Sequence, residues 1–183
     1  MAVAGLLDSV LNLMAHPRKR AEVRVDNLEW LTEKTAYILF AVAEAVLGEK
    51  FLEKAPKFIE TVDDYLNYQR QAQREQFLTA LLIAETSGFN LIVGGRFRGF
   101  SHMTIDERRG ILEKLRGSDR ELRRNIYAAF VNVSASTYYT SDLTWADLNY
   151  EGVSVDHPHI LADPPPVRWR PTDPRPVEPN VPL

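Results

Sequence analysis

Cysteine is absent from the 183 residues of this sequence. Its absence excludes disulfide bonds, thiolate metal sites, iron–sulfur clusters and a cysteine nucleophile. A basic excess is also absent. The chain has 22 lysines and arginines against 25 acidic residues, and its net charge of −3 is unlike that of most nucleic-acid-binding proteins. Hydrophobic residues still make up 45% of the chain, which is enough to build the core of one domain.

Long apolar runs are missing as well, because no stretch approaches the ~18 residues of a membrane span. At the N-terminus the basic residues follow the apolar part, whereas they precede it in a signal peptide. These features predict a soluble, cytoplasmic protein. Residues 1–20 carry an apolar stripe at helical spacing that ends before Pro17: Val3, Leu6, Leu7, Val10, Leu11 and Met14. We expect an amphipathic helix there, docked on the core or on a partner, with a membrane surface as the alternative.

Known catalytic patterns are lacking too. The chain has no G-x-S-x-G elbow, no H-E-x-x-H zinc motif and no phosphate-binding glycine loop. The segment 156–159 (Asp-His-Pro-His) has metal-binding side chains but no clear third ligand. Glu44 and Glu85 lie in apolar helical runs without the histidine three residues on that a di-iron bundle requires. We expect both carboxylates to be hydrogen-bonded or paired with arginine, and we expect no catalytic, cofactor or metal residue in this chain.

Helical periodicity is the main signal that is present, and it predicts an all-α fold, a compact helical bundle. Thr32 is a suitable N-cap for a helix that extends to Leu47 and ends at Gly48. This helix is apolar almost all round, which predicts that it is central and buried. Pro56 suits the first turn of a second helix that ends near residue 70.

The helical pattern resumes at Gln71, either as a continuation or as a separate helix, and Gly88 is the expected stop. Residues 88–103 are predicted to form a glycine-rich loop. Thr104 and Glu107 form a capping box for a helix that ends at Gly117. A second box, from Ser118 to Glu121, predicts a last long helix with these residues facing the core: Leu122, Ile126, Ala129, Phe130 and Val133.

The C-terminal composition differs from the rest of the chain. Nine of the 11 prolines follow His157, and three of them recur every third residue, as on one face of a polyproline II helix. Such a segment forms no core of its own. We therefore predict an N-terminal amphipathic helix over 1–20, a helical domain over 21–155 and an extended proline-rich tail over 156–183, with Val167, Trp169 and Val177 as its apolar anchors.

The region from about 100 to 155 has an unusual order of residues. An arginine-led helix is followed by a tyrosine pair, a polar loop, a tryptophan and a closing Tyr-Glu-Gly. In this order the C-terminal half resembles the gluconate 2-dehydrogenase subunit 3 family, in which a proline stands in place of Glu151. The matching residues are Arg123, Arg124, Tyr138, Tyr139, Trp145, Tyr150 and Gly152.

The resemblance implies a small, non-catalytic and chaperone-like helical subunit. Its partner would be the large subunit of a flavin-dependent dehydrogenase of the glucose–methanol–choline type. That partner would hold FAD and act on an alcohol, sugar or sterol-like substrate. Large aromatics and arginines are typical interface anchors. We expect them at the partner interface in a hetero-oligomer: Arg96, Arg98, Arg123, Arg124, Tyr138, Tyr139, Trp145, Tyr150 and Trp169. The alternatives are a helical interaction module with a different partner and a small metal-dependent enzyme.

Overall fold

The structure is a computed structural model that describes residues 9–21, 23, 25, 28–140 and 144–145. The all-α prediction is confirmed, since these residues contain no strand. All of them belong to one compact unit, Met1–Tyr150. From residue 33 onward its helices are α1 (Glu33–Leu47), α2 (Ala55–Asn67), α3 (Gln71–Glu85), α4 (Ser87–Gly94), α5 (Ile105–Arg116) and α6 (Glu121–Thr140), with 3-10 helices η1 (Glu49–Lys54) and η2 (Phe100–His102).

Helix α1 lies at the centre of the bundle, as the sequence predicts. Ten of its 15 residues are buried, and it contacts α3, α5, α6 and both 3-10 helices. The Thr32 hydroxyl accepts a hydrogen bond from the Thr35 amide, and the Thr35 hydroxyl accepts one from the Thr32 amide. Gly48 ends the helix with a φ of 83°, a conformation that favours glycine. The helix is thus delimited at both ends by local sequence signals.

A series of neighbouring aromatic rings links α1, η1, α2 and α6. Phe51 of η1 lies 5.4 Å from Phe40 and 5.0 Å from Phe58, measured between ring centroids. Phe58 is in turn 6.3 Å from Tyr138 near the end of α6. These tilted and edge-on arrangements are those that aromatic pairs prefer. They connect elements that are distant in sequence, so the bundle has one continuous core.

The predicted stop at Gly88 and the predicted loop over 88–103 are wrong. Helix α3 ends at Glu85, and the chain turns by 76° into α4, which contains Gly88. The Thr86 hydroxyl donates to the Ile83 carbonyl, and the buried side chain of Asn90 donates to the carbonyls of Ala84 and Arg98. These side chains satisfy the carbonyls that the helix break exposes. A polar tertiary contact, and not glycine, therefore sets the corner.

Two predictions about α6 also need correction. The helix begins at Glu121, and the Ser118 hydroxyl accepts from the Arg120 amide, so the residues from Ser118 to Glu121 do not form the expected capping box. Leu122 is 64% exposed, whereas Ile126, Phe130 and Val133 of the same stripe are buried. The apolar stripe of α6 therefore extends beyond the helices that cover it.

The N-terminal region is described from residue 9 onward, and residues 9–14 are helical. Two stripe residues, Val10 and Met14, are about half exposed, while Ala15 is fully buried. The described residues include no single helix that is long and apolar enough to cross a membrane, although the bent pair α3 and α4 meets the criterion by length and composition. The predicted tail over 156–183 and its boundary lie outside the described residues.

Candidate functional site

Arg108 is one of the buried ionisable residues of the bundle. This arginine belongs to α5, and its side chain is only 3% exposed. Its guanidinium lies 2.6 Å from the Glu44 carboxylate and donates to the Ala41 carbonyl at 2.7 Å. Arg20 lies 3.6 Å from the same carboxylate. The pairing of Glu44 with arginine is confirmed, and the contact fastens α5 to α1.

Glu85 is the second buried carboxylate, with a side chain only 1% exposed. It accepts hydrogen bonds from the Ser101 amide at 2.9 Å and from the Ser101 hydroxyl at 2.8 Å. A Cβ at Gly99 would lie 2.3 Å from the Glu85 Oε1 atom, so only glycine permits the loop to pass this close. The hydrogen-bonded state that the sequence predicts for Glu85 is therefore confirmed.

A small polar cleft of about 430 Å³ borders this carboxylate, and its lining includes His16, Arg98 and His102. The Ser101 hydroxyl also accepts from the Arg18 amide at 2.8 Å. The His102 Nε2 atom is 2.7 Å from the His16 carbonyl oxygen, which can only accept, so this nitrogen carries a proton. The polar groups here hold residues 16–18 against η2. Within the described part of the chain, no three acidic or histidine side chains are arranged to hold a metal ion.

Replacing Glu85 with glutamine is expected to change the pH dependence of stability. Burial raises the pKa of the Glu85 carboxyl above its ordinary value of 4.5. The native state thus holds this proton more tightly than the unfolded chain does. The resulting stabilisation is fully present below about pH 4.5 and is lost as the pH rises through the raised pKa. Glutamine does not titrate, so the free energy of unfolding of the wild type should fall relative to Glu85→Gln over this range.

Urea denaturation between about pH 4 and pH 8 measures this difference. The exposed residue Glu60 supplies the matched control, because Glu60→Gln makes the same chemical change on a solvated surface. If the difference in the free energy of unfolding between the wild type and Glu85→Gln is constant with pH, the raised pKa of the Glu85 carboxyl is contradicted.

An open apolar groove of about 650 Å³ lies between α2, α3 and α6. It explains the exposure of Leu122, which lies on its wall. Glu75 is the only charged residue among the described lining residues, and four carboxamide side chains line it as well. The lining comprises Tyr65, Leu66, Gln69, Ala72, Gln73, Glu75, Gln76, Phe77, Thr79, Ala80, Ile83, Leu122, Asn125, Ile126, Ala129 and Val133. Apolar surface of this kind on a monomer is typical of a binding region.

Seven of the nine predicted interface residues are described by the structure, and they lie on several elements of the bundle. Arg96 forms an ion pair with Glu107 at 2.8 Å, and Arg98 lies 3.9 Å from the same carboxylate. Both arginine side chains are about half exposed, at 50% and 53%. Arg123 is partly buried, whereas Arg124 is exposed and donates to the Ser118 carbonyl at 2.7 Å. The four arginines thus lie at the start of α6 and beside α5, and all except the partly buried Arg123 are exposed.

The aromatic members of the set separate into core and surface. Tyr138 is only 5% exposed and packs edge-on against Phe58, so it closes the core. Tyr139 is 55% exposed and lies 5.3 Å from the Tyr138 ring. Trp145 is partly buried. The other two members of the set, Tyr150 and Trp169, lie outside the described residues. Tyr139 is thus the exposed aromatic among the described members.

Sequence reasoning missed Asp63, whose carboxylate accepts hydrogen bonds from three consecutive backbone amides. The donors are Glu29 at 2.7 Å, Trp30 at 3.0 Å and Leu31 at 2.7 Å. The signal was available, because Asp63 falls within the apolar stripe of α2, beside Val62 and four residues after Ile59. An acidic side chain on the core-facing side of a helix is removed from water, so it needs hydrogen-bond donors from the protein.

Comparison with known proteins gives no identification. No family model, no curated protein and no solved structure matches the chain.

Proposed function

We propose that this chain is a non-catalytic helical subunit that assembles with a larger catalytic protein and stabilises it. The apolar groove between α2, α3 and α6 carries the proposal, because it leaves Leu122 64% exposed beside buried core residues. An exposed surface of this kind is stabilised when a partner covers it. The described acids inside the bundle favour the same role, since the partly buried Glu44 and the buried Asp63 and Glu85 all make contacts that join one segment of the bundle to another.

The class of partner comes from the sequence resemblance. We propose a FAD-containing oxidoreductase of the glucose–methanol–choline type that acts on an alcohol, sugar or sterol-like substrate. The cofactor would then belong to the partner. The exposed Tyr139 and the arginines at the start of α6 supply the side chains that are most common at interface hot spots.

Leu122→Glu is expected to weaken binding to the catalytic subunit at least about tenfold, because it places a charge on the wall of an apolar groove. Leu122 makes little contribution to the core, so the variant should fold normally. Tyr68→Glu is the matched control, since Tyr68 is 87% exposed and does not line the groove. Co-expression followed by affinity purification and titration of the two purified subunits measures the effect.

The copurified protein also tests the class of partner. A flavin absorbance spectrum in the complex supports the proposal in full. A complex without flavin that is lost on Leu122→Glu would instead indicate an interaction module with a different partner. Equal binding by Leu122→Glu, Tyr68→Glu and the wild type would exclude the groove as the binding surface.

A further inference from the structure

Helix α4 has an unusual exposed face. Its solvent-facing positions are Gly88, Leu91, Ile92 and the adjoining cap residue Gly95, at the i, i+3, i+4, i+7 spacing of one helical face. Leu91 is 48% exposed and Ile92 is 72% exposed. A surface helix ordinarily presents polar side chains to water on this face. The exposed face of α4 carries none.

The next turn of the chain extends the apolar surface and adds positive charge. Phe97 is 77% exposed and stands between Arg96 and Arg98, both about half exposed. Lys114 of α5 reaches the same end of α4, with its ammonium 3.4 Å from the Gly94 carbonyl oxygen. We call Leu91, Ile92 and Phe97, with these three cations, the α4 tip.

The net charge around the α4 tip remains positive when the neighbouring acidic side chains of α5 are included. The first turn of α5 carries two acids, Asp106 and Glu107. Glu107 is mostly buried, with 18% of its side chain exposed, and its carboxylate lies 2.8 Å from Arg96 and 3.9 Å from Arg98. Three cations against two carboxylates leave a net charge of +1 around the apolar residues. This charge disfavours contact between two copies of the chain, because a two-fold axis would bring the same arginines together.

We infer that the α4 tip docks on the surface of an anionic lipid bilayer. Leu91, Ile92 and Phe97 would enter the headgroup region, and the three cations would contact acidic lipid headgroups. Helix α4 has eight residues and spans only about 12 Å, which is short for one side of a standard protein interface. Interfacial membrane binding needs no complementary surface and strengthens with each buried apolar side chain and each nearby cation. The inference is independent of the partner proposed above.

Sedimentation of the full-length chain with lipid vesicles tests this inference. We expect binding to vesicles that contain phosphatidylserine, weaker binding to pure phosphatidylcholine and a loss of binding at high salt. The double variant Ile92→Ser/Phe97→Ser should bind at least about tenfold more weakly. The variant Arg96→Gln/Arg98→Gln should lose the preference for phosphatidylserine. Circular dichroism confirms that each variant retains its helices.

Two control variants separate this surface from others on the chain. Tyr68→Ser removes a side chain that is 87% exposed elsewhere, and it should bind vesicles like the wild type. Leu13→Ser alters the N-terminal helical segment, where Leu13 is 75% exposed. Absence of vesicle binding would overturn the inference, as would binding that is lost in Leu13→Ser but kept in Ile92→Ser/Phe97→Ser. The inference would also be overturned if Ile92→Ser/Phe97→Ser bound vesicles like the wild type but no longer bound the catalytic subunit. The α4 tip would then be a protein-docking surface.

Discussion

Arg108→Met is expected to lower the free energy of unfolding by about 3 kcal/mol, because it leaves the Glu44 carboxylate without its main partner. Breaking a buried ion pair typically costs about 3–5 kcal/mol. The lower end applies here because Arg20 remains 3.6 Å from Glu44 and can compensate in part. The Ala41 carbonyl would also lose the donor that now lies 2.7 Å away.

Arg116→Met is the matched control for this prediction. Arg116 lies on the same helix and also pairs with a glutamate, but both side chains are about 60% exposed, at 62% and 60%. Exposed pairs of this kind contribute at most about 1 kcal/mol. Chemical denaturation of the two variants gives the comparison. A loss in Arg108→Met no larger than in Arg116→Met would show that the buried pair does not stabilise the fold.

The double variant Arg108→Met/Glu44→Leu refines the test. The Arg108 Nε atom is buried without an acceptor among the described residues, so the pair does not fully compensate its own desolvation. Apolar replacements of similar size remove both the charge and this cost. We therefore expect the double variant to be more stable than Arg108→Met alone. Together with the single variant Glu44→Leu it completes a double-mutant cycle, for which we expect a coupling energy of about 1–3 kcal/mol.

Local sequence signals predicted the helix limits well where one side chain decides them. Thr32, Gly48 and Thr104 act within four residues of their own position, through hydrogen bonds or backbone conformation. The corner at Thr86 could not be predicted in this way. It depends on Asn90, which reaches the Arg98 carbonyl eight residues further on. Gly88 lies two residues after this corner and does not end α3, as the sequence predicted. The side-chain amide of Asn90 holds the corner instead.

The candidate surfaces were predicted less well for a related reason. Periodicity shows which residues share a helical face, but not where the covering helices end. Leu122 shares a stripe with Phe130, yet only Phe130 is buried, at 0% exposure. Similarly, periodicity does not identify which arginine of α5 is paired inside the bundle. Only Arg108 points inward, because its partner Glu44 lies 64 residues earlier on α1.

Asp63→Ala is the second substitution from which we expect a large effect, a loss of about 3 kcal/mol in the free energy of unfolding. The carboxylate now accepts three backbone hydrogen bonds at 2.7 to 3.0 Å, and the Leu31 amide among them is buried. Hydrogen bonds to a charged group contribute about 1.5–3 kcal/mol each, but three bonds to one group are not additive. Alanine would remove the acceptor of all three amides and would leave the buried Leu31 amide unsatisfied.

The effect should be concentrated in the segment that leads into α1. Hydrogen exchange of the amides of residues 29–31 should accelerate more than that of the amides inside α1, because the direct acceptor is lost. Asp63→Asn keeps one acceptor oxygen and should be intermediate in stability. Asp64→Ala is the matched control, since Asp64 is the exposed neighbour on the same helix and the change in composition is identical. Equal stability of Asp63→Ala and Asp64→Ala would mean that the carboxylate does not hold this segment. The contact of Trp30 with Arg74, whose Cζ atom lies 3.4 Å from the ring centroid, would then hold it instead.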